Sequence, residues 1–506
     1  YQMKFRILLL CFLAASLLLL STDAASSSRR RVKRSLDPKE LTLVFVSAMW
    51  RHGDRAPTEP FPGDKVNETF WTQGGGGYGQ LSTRGMSQHV KLGSMLRDMY
   101  ITKVNLLSKS YRSNEVFVRS TDVNRTIISA MSNMIGMFSQ PENGNKYVFR
   151  PGLDYPDIAT WPKNFVPIAI HTVDETTDYV GNTDADCKRQ TELWEIAKKS
   201  PEFVNYINKP LVKKTLDLLS KSLNTTIDSD NLYKIADGMY IEKLYRNDTS
   251  TLYPWYPRVA DNIDLINDAV ENFQNGLISY QYNGLDIGKE IKKIRGGSLI
   301  RLVNDYINMK IDCLDEKKEC KPKFKDLKYF VISAHDTTLA AYLSTLEAKD
   351  FVPKAGGYPH YAAAILTELY KHKNGSYFLK FLYHRGAGED GAGDLGADNI
   401  DVLTAKVAGC PIDDDFCPRA ALADQAAKYD PGNAAELCKT SPGNEPSPTS
   451  SPAPTQPTQA PPNTDKPPGP PVTNPPPDTT TESGANLSGF FGTLLVALVT
   501  FFTITA

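Results

Sequence analysis

Three times in this chain a short apolar run ends in a cluster of polar residues and is followed by a segment of helical period. That repetition limits the fold more than any other feature. The first run, Leu41 to Ala48, is apolar on both faces and rich in branched side chains, as a parallel strand covered on both sides must be. It ends at Trp50-Arg51-His52-Gly53-Asp54-Arg55. After a Gly-rich loop (Gly74 to Gly79), helical spacing runs from Leu81 to Tyr100 through Met86, Val90, Leu92, Met95 and Leu96. The second run, Val116 to Val118, leads into Arg119-Ser120-Thr121-Asp122, where Thr121 or Asp122 can cap a helix carrying Ile127, Ile128, Met131 and Met134. The third, Tyr329 to Ser333, enters Ala334-His335-Asp336-Thr337-Thr338 and then a helix from Leu339 to Leu346. Polar residues at the carboxyl ends of parallel strands are how open α/β sheets build their sites. Each loop alone reads as an ordinary helix cap, but three that all carry Arg or His point to one shared site.

Between about 165 and 305 this alternation fades into Lys-, Leu- and Asp-rich stretches that read as a mainly helical insertion. Further on, Tyr361 to Tyr370 and Tyr377 to Tyr383 flank Asn374-Gly375, the signal of a hairpin. Residues 441–480 hold 15 of the 34 prolines, so this stretch cannot build a core and reads as an extended stalk. Residues 489–506 carry no Asp, Glu, Lys, Arg or His, which suits a tail removed on GPI attachment or a retained membrane span. At the other end, Lys4 and Arg6 precede an apolar run from Ile7 to Leu20, and residues 3–25 read as a secretory signal, with a membrane anchor as the alternative. The basic cluster Arg29 to Arg34 is either a convertase site that makes 26–34 a propeptide or a solvated loop.

A formal net charge of −1 argues against nucleic acid as the partner, because such binders carry a basic excess. Loss of the first 34 residues would leave the chain mildly acidic. It would also remove Cys11 and leave six cysteines, Cys187, Cys313, Cys320, Cys410, Cys417 and Cys438, which in an oxidising compartment read as up to three disulfides of undetermined connectivity. No Cys-x-x-Cys pair suggests structural zinc. Of six Asn-x-Ser/Thr sequons, Asn67, Asn224, Asn247 and Asn374 are the expected glycosylation sites; Asn124 and Asn486 complete the set.

Phosphoryl transfer requires cations around three oxygens, an in-line nucleophile and a proton for the leaving alkoxide. Arg51-His52-Gly53-Asp54-Arg55-Ala56-Pro57 offers two guanidiniums and an imidazole within five positions, and arginine's planar fork binds phosphate oxygens in pairs. Gly53 lets the backbone approach closely. Asp54 either orients the cluster or serves as a structural hydrogen-bond acceptor.

This run resembles the signature of the histidine acid phosphatases, and His335-Asp336-Thr337-Thr338 resembles their second signature. The resemblance extends through Phe61-Pro62, Gly79 to Ser82, Arg119 to Asp122 with Arg125-Thr126, and Leu366 to Tyr370. It covers roughly residues 41–440 and is nearest to the prostatic and lysosomal animal enzymes. It implies a three-layer α/β sandwich of the phosphoglycerate-mutase-like kind, built from 35–165 and 306–440, with a smaller helical cap at 166–305. It implies that His52 attacks phosphorus, that Arg51, Arg55, Arg119 and His335 hold the phosphoryl oxygens, and that Asp336 protonates the departing oxygen without metal or other cofactor. Disulfides Cys187–Cys438 and Cys410–Cys417 follow from the family pattern, and a local Cys313–Cys320 bridge is inferred beside them. A homodimer is expected on the same ground. The rival readings are a phytase-like enzyme acting on inositol phosphates and a catalytically dead surface protein; the latter would be expected to have lost one of these residues, and none is lost.

Overall fold

A computed structural model of the chain describes residues 36–139, 149–351, 358–388 and 391–443. The signal segment 3–25, the stretch 26–34, the stalk beyond 443, Asn486 and the tail 489–506 lie outside the described residues. No helix among the described residues is long and apolar enough to cross a membrane.

The first expected strand is β1 (Leu41–Arg51), and both of its faces are buried. Helix α1 (Thr83–Arg97) follows; its N-cap Ser82 accepts from the Gly85 amide at 3.0 Å. Strand β2 (Val116–Ser120) and helix α2 (Asn124–Phe138) come next. The α2 cap is Val123, which offers no side-chain bond, so neither Thr121 nor Asp122 does the capping expected of it. A two-residue strand, β3 (Ile170–His171), precedes the insertion helices α3 (Lys188–Ala197), α4 (Pro201–Ile207), α5 (Pro210–Leu223), α6 (Leu232–Tyr245), α7 (Thr249–Leu252) and α8 (Ala260–Gln274). A small hairpin of β4 (Gln281–Tyr282) and β5 (Leu285–Asp286) leads into the long helix α9 (Ile287–Leu314) and the short α10 (Pro322–Asp326). Then come β6 (Tyr329–Ala334), α11 (Asp336–Thr345), the hairpin β7 (Ala364–His372) and β8 (Tyr377–His384), β9 (Ile400–Val402), β10 (Cys417–Pro418), α12 (Ala420–Lys428) and α13 (Ala434–Cys438).

The main sheet runs β10-β8-β7-β1-β6-β2-β3, with β9 also on β8. Strands β1, β6, β2 and β3 are parallel, and β7 pairs with β1 antiparallel. Alternation along the strands divides the core. Phe45, Met49, Phe330 and Ile332 face α9, α11 and α12, whereas Val46, Ala48, Trp50, Val118 and Val331 face α1 and α2. That makes three layers, and each large apolar side chain fully buried between them contributes about 1.5–3 kcal/mol. The insertion has its own core, with Leu219, Ile235, Met239, Ile263 and Ile266 at its centre.

The insertion expected over 166–305 gives two segments back to the sandwich. Strand β3 pairs with β2, and Leu299, Ile300 and Val303 of α9 pack under the sheet. The sequence conceals both, since two residues are too few to show strand alternation and a helix buried on several sides loses its single apolar stripe.

The structure joins Cys187 to Cys438, Cys313 to Cys320 and Cys410 to Cys417. The first pair is 251 residues apart and ties the start of α3 to the end of α13; the other two each close seven residues. Beside it, buried Arg189 pairs with Glu290 at 2.7 Å and donates to Ser441 O at 3.0 Å and Thr440 Oγ1 at 3.3 Å. Because loop-closure entropy grows with loop length, replacing Cys187 and Cys438 by Ala should cost about 2–5 kcal/mol and more than opening either short loop. Urea unfolding of the three double variants under oxidising conditions measures the order.

Candidate active site

The parallel register sets Arg51 opposite Ala334 and Ser120 opposite Ser333, so β1, β6 and β2 end level. The His52 amide extends the ladder to Ala334 O at 3.0 Å, and the Thr121 amide does the same to Ser333 O at 3.1 Å. Trp50 Nε1 donates to Ser333 Oγ at 2.9 Å, and that hydroxyl donates to Thr126 O at 2.7 Å. His52, His335 and the first turn of α2 are thereby fixed on one sheet edge.

His52 is 1% exposed, and its Nδ1–H donates to Gly53 O at 2.8 Å, which leaves Nε2 as the basic nitrogen. Burial, then the charges of Arg125, Arg55 and Arg51, hold this imidazole well below the usual histidine range. His335 is depressed for the same reasons. Its Nε2 lies 3.0 Å from Thr121 Oγ1, and its Nδ1 lies 3.5 Å from Arg125 Nη2. Since a guanidinium only donates, the Nδ1 facing Arg125 is the unprotonated nitrogen. The two imidazoles meet edge to face at 5.6 Å.

Arg51 donates to Pro359 O at 2.7 Å, pairs with Asp336 at 2.8 Å and lies over the Tyr361 ring at 4.3 Å. Asp336, the first residue of α11, accepts from the Thr337 amide at 2.9 Å. Arg55 makes a two-pronged pair with Asp237 of α6, at 2.9 and 3.0 Å. Arg125 is pushed down to about 10 by burial and then by Arg55. Among the described residues, Arg125 has no carboxylate at ion-pair distance.

Arg119 does not join this group. It alternates with Val118 on β2 and pairs with buried Asp178, whose carboxylate also accepts from the Gly181 amide at 2.8 Å. The third arginine of the cluster is Arg125, in the first turn of α2, where the strand has already ended. The alternation of Val116 and Val118 is the sequence signal that Arg119, on the other face of β2, points into a layer and away from the strand end. Tyr361 and Asp237 had no signal comparable to the two signatures.

Gly53 packs on Gly85 so closely that a Cβ on Gly53 would stand 2.4 Å from Gly85 O. Side chains at either position would push α1 off the loop. Asp54 locks this contact as a hydrogen-bond acceptor: its carboxylate takes Ser82 Oγ and Tyr245 Oη, and its amide donates to Gln88 at 2.8 Å. Burial raises its pKa above the ordinary carboxylate value, against the pull of Ser82 and Tyr245. His89 is buried with Nε2 3.0 Å from Arg51 O and is held down at about 3 by burial. Asn67, Asn224, Asn247 and Asn374 are all exposed.

A model of the histidine phosphatase superfamily, branch 2, matches residues 42–384. The rat prostatic acid phosphatase is 33% identical over 357 residues, covering 69% of this chain and 80% of that protein. The human lysosomal acid phosphatase is 29% identical over 345 residues, covering 68% and 70% respectively. Among solved structures, a Hafnia alvei phytase in complex with myo-inositol hexakis sulphate shares the fold, with a TM-score of 0.52 at 13% identity over 79% of this chain and 99% of that one. The chain belongs to the histidine phosphatase superfamily, branch 2. Within that superfamily it is a phosphatase of the group to which the prostatic and lysosomal acid phosphatases belong.

The same loop carries a titratable contact with the insertion. Tyr253 Oη donates to Asp64 Oδ1 at 3.0 Å and lies 3.1 Å from Glu242 Oε1 on α6. Burial, then the charge of Asp64, raises the buried Glu242 carboxyl to about 8. A folded value above the unfolded one means stability that is full in acid and lost as pH rises through about 8. Wild type should therefore unfold at lower urea at pH 9 than at pH 6, and Glu242→Gln should shrink that difference; an unchanged difference refutes the assignment.

Proposed function

We propose that the enzyme hydrolyses phosphate monoesters at acid pH through a phosphohistidine on His52. The observation that carries this reading is a buried imidazole with Nδ1 fixed by its own loop, Nε2 left basic, and three guanidiniums opposing its protonation. An ordinary histidine charges near pH 6.5 and would lose its nucleophilic lone pair in acid. This one keeps it.

Nε2 attacks phosphorus, and the N–P bond forms as the P–O bond to the leaving group breaks. Asp336 gives its proton to the departing oxygen, a role that acid pH favours. Water then attacks the phosphohistidine, the P–N bond breaks, and Asp336 takes back a proton as phosphate forms. Arg51 and Arg55 hold the equatorial oxygens, with Arg125 in the role expected of Arg119, and His335, whose Nδ1 faces Arg125, positions that guanidinium. These fixed cations meet the charge developing on the phosphoryl oxygens, so the mechanism calls for no metal. The acidic partners of Arg51 and Arg55 favour a monophosphate over a substrate with several phosphates. Three disulfides and four exposed sequons support an extracytoplasmic, secretory-route setting.

Aryl phosphate turnover measured from pH 4 to 8 with excess chelator should be acid-favoured and should vanish in His52→Ala; turnover indifferent to His52 refutes the phosphohistidine.

Arginine substitutions separate the two candidate positions. Arg125→Ala should lower kcat/KM on the order of 10²–10³-fold, as loss of a transition-state donor does. It should also move the acid limb of the profile to higher pH, because removing a cation makes His52 easier to protonate. Arg119→Ala should show its loss mainly in stability, about 3–5 kcal/mol, by stranding buried Asp178. The opposite pattern would restore Arg119 to the site.

A further inference from the structure

Arg55 faces the phosphoryl pocket of the proposed reaction, yet both of its terminal nitrogens are already engaged. Asp237 Oδ2 sits 2.9 Å from Nη1 and Oδ1 sits 3.0 Å from Nη2, while Nη1 also donates to Ala56 O at 3.1 Å. Two oxygens on two parallel N–H groups is the geometry an arginine gives a phosphate. Arg51 is different, since its carboxylate partner is Asp336, the proposed acid.

Asp237 belongs to the insertion rather than to either signature. Its side chain is 23% exposed against 8% for Arg55, so it is the more solvent-accessible partner of the pair. Helix α6 is held independently. Tyr245 bonds Asp54, Glu242 shares Tyr253 with Asp64, and the Phe61 ring packs where a Cβ on Gly238 would stand 2.6 Å away. Loss of Asp237 therefore leaves the helix docked.

We propose that Asp237 sets phosphate affinity at this site: it is an internal carboxylate that occupies the terminal fork of Arg55 and competes with an incoming phosphoryl group for it. This rests on the phosphomonoester reading above and deepens it. The carboxylate weakens ground-state binding of any phosphate and returns to Arg55 as the product leaves. A structural role would act with the opposite sign, because an Arg55 deprived of its carboxylate and held only by Ala56 O would bind phosphate worse.

The test is calorimetric titration of inorganic phosphate into the full chain at pH 5, alongside steady-state hydrolysis of an aryl phosphate. Asp237→Asn, which keeps the shape and removes the charge, should tighten phosphate at least about tenfold and lower KM without raising kcat. Asp237→Ala should shift both in the same direction, and Asp237→Glu, which restores a carboxylate, should stay within about threefold of wild type. Phosphate affinity unchanged or weakened in both Asn and Ala variants, with wild type active, overturns the inference alone. A wild type that neither binds phosphate nor turns over substrate removes the phosphomonoester reading beneath it.

Discussion

The structure depends first on the parallel pairing of β1 with β6. Nearly three hundred residues separate the two signatures, and a one-residue slip between these strands would turn Arg51 and Ala334 to the wrong faces. Register is held by burial of both faces and by the Trp50–Ser333–Thr126 chain of hydrogen bonds just beneath the site. Because β2 ends level with them, the first turn of α2 reaches the same edge and brings Arg125 to His335. The geometry of the candidate site is a consequence of sheet register.

Gathering three guanidiniums around a buried imidazole is costly, and the fold meets that cost in different ways. Arg51 and Arg55 take carboxylates, one from the sandwich and one from the insertion. Arg125 has neither, and burial and the neighbouring Arg55 lower its pKa. That uncompensated charge opposes protonation of His52, and in the proposed reaction it would meet the incoming dianion. Helix α6 matters for the same reason: Asp237 and Tyr245 reach the loop that follows β1 directly, and Glu242 reaches it through Tyr253, which also bonds Asp64.

Much of this was legible in the chain. The three strand-to-helix passages, the hairpin at Asn374-Gly375 and the residues His52, His335 and Asp336 all lie where strong local patterns placed them. Failures came where the deciding information was not local. Arg119 and Arg125 are both polar residues in a family-like stretch, and only strand alternation and the position of the first helical turn tell which one reaches the edge. Thr121 has a capping residue's identity, but its hydroxyl is taken by His335, a partner 214 positions away. Asp237 belongs to a helix whose pattern says only that it packs, and its meaning appears when that helix is laid on Arg55.

Cys187–Cys438 has a mechanical consequence. Just after Cys438 come the last described residues, of which Arg189 grips Thr440 and Ser441. Tension applied to that end first strains the Arg189 contacts, backed by the buried pair with Glu290, and then meets a covalent bond. The load is divided between α3 and α13 and does not have to peel α12 from the sheet. A protein held by its carboxyl-terminal end could thus be tugged or sheared without the strands that carry His52 and Asp336 bearing the force.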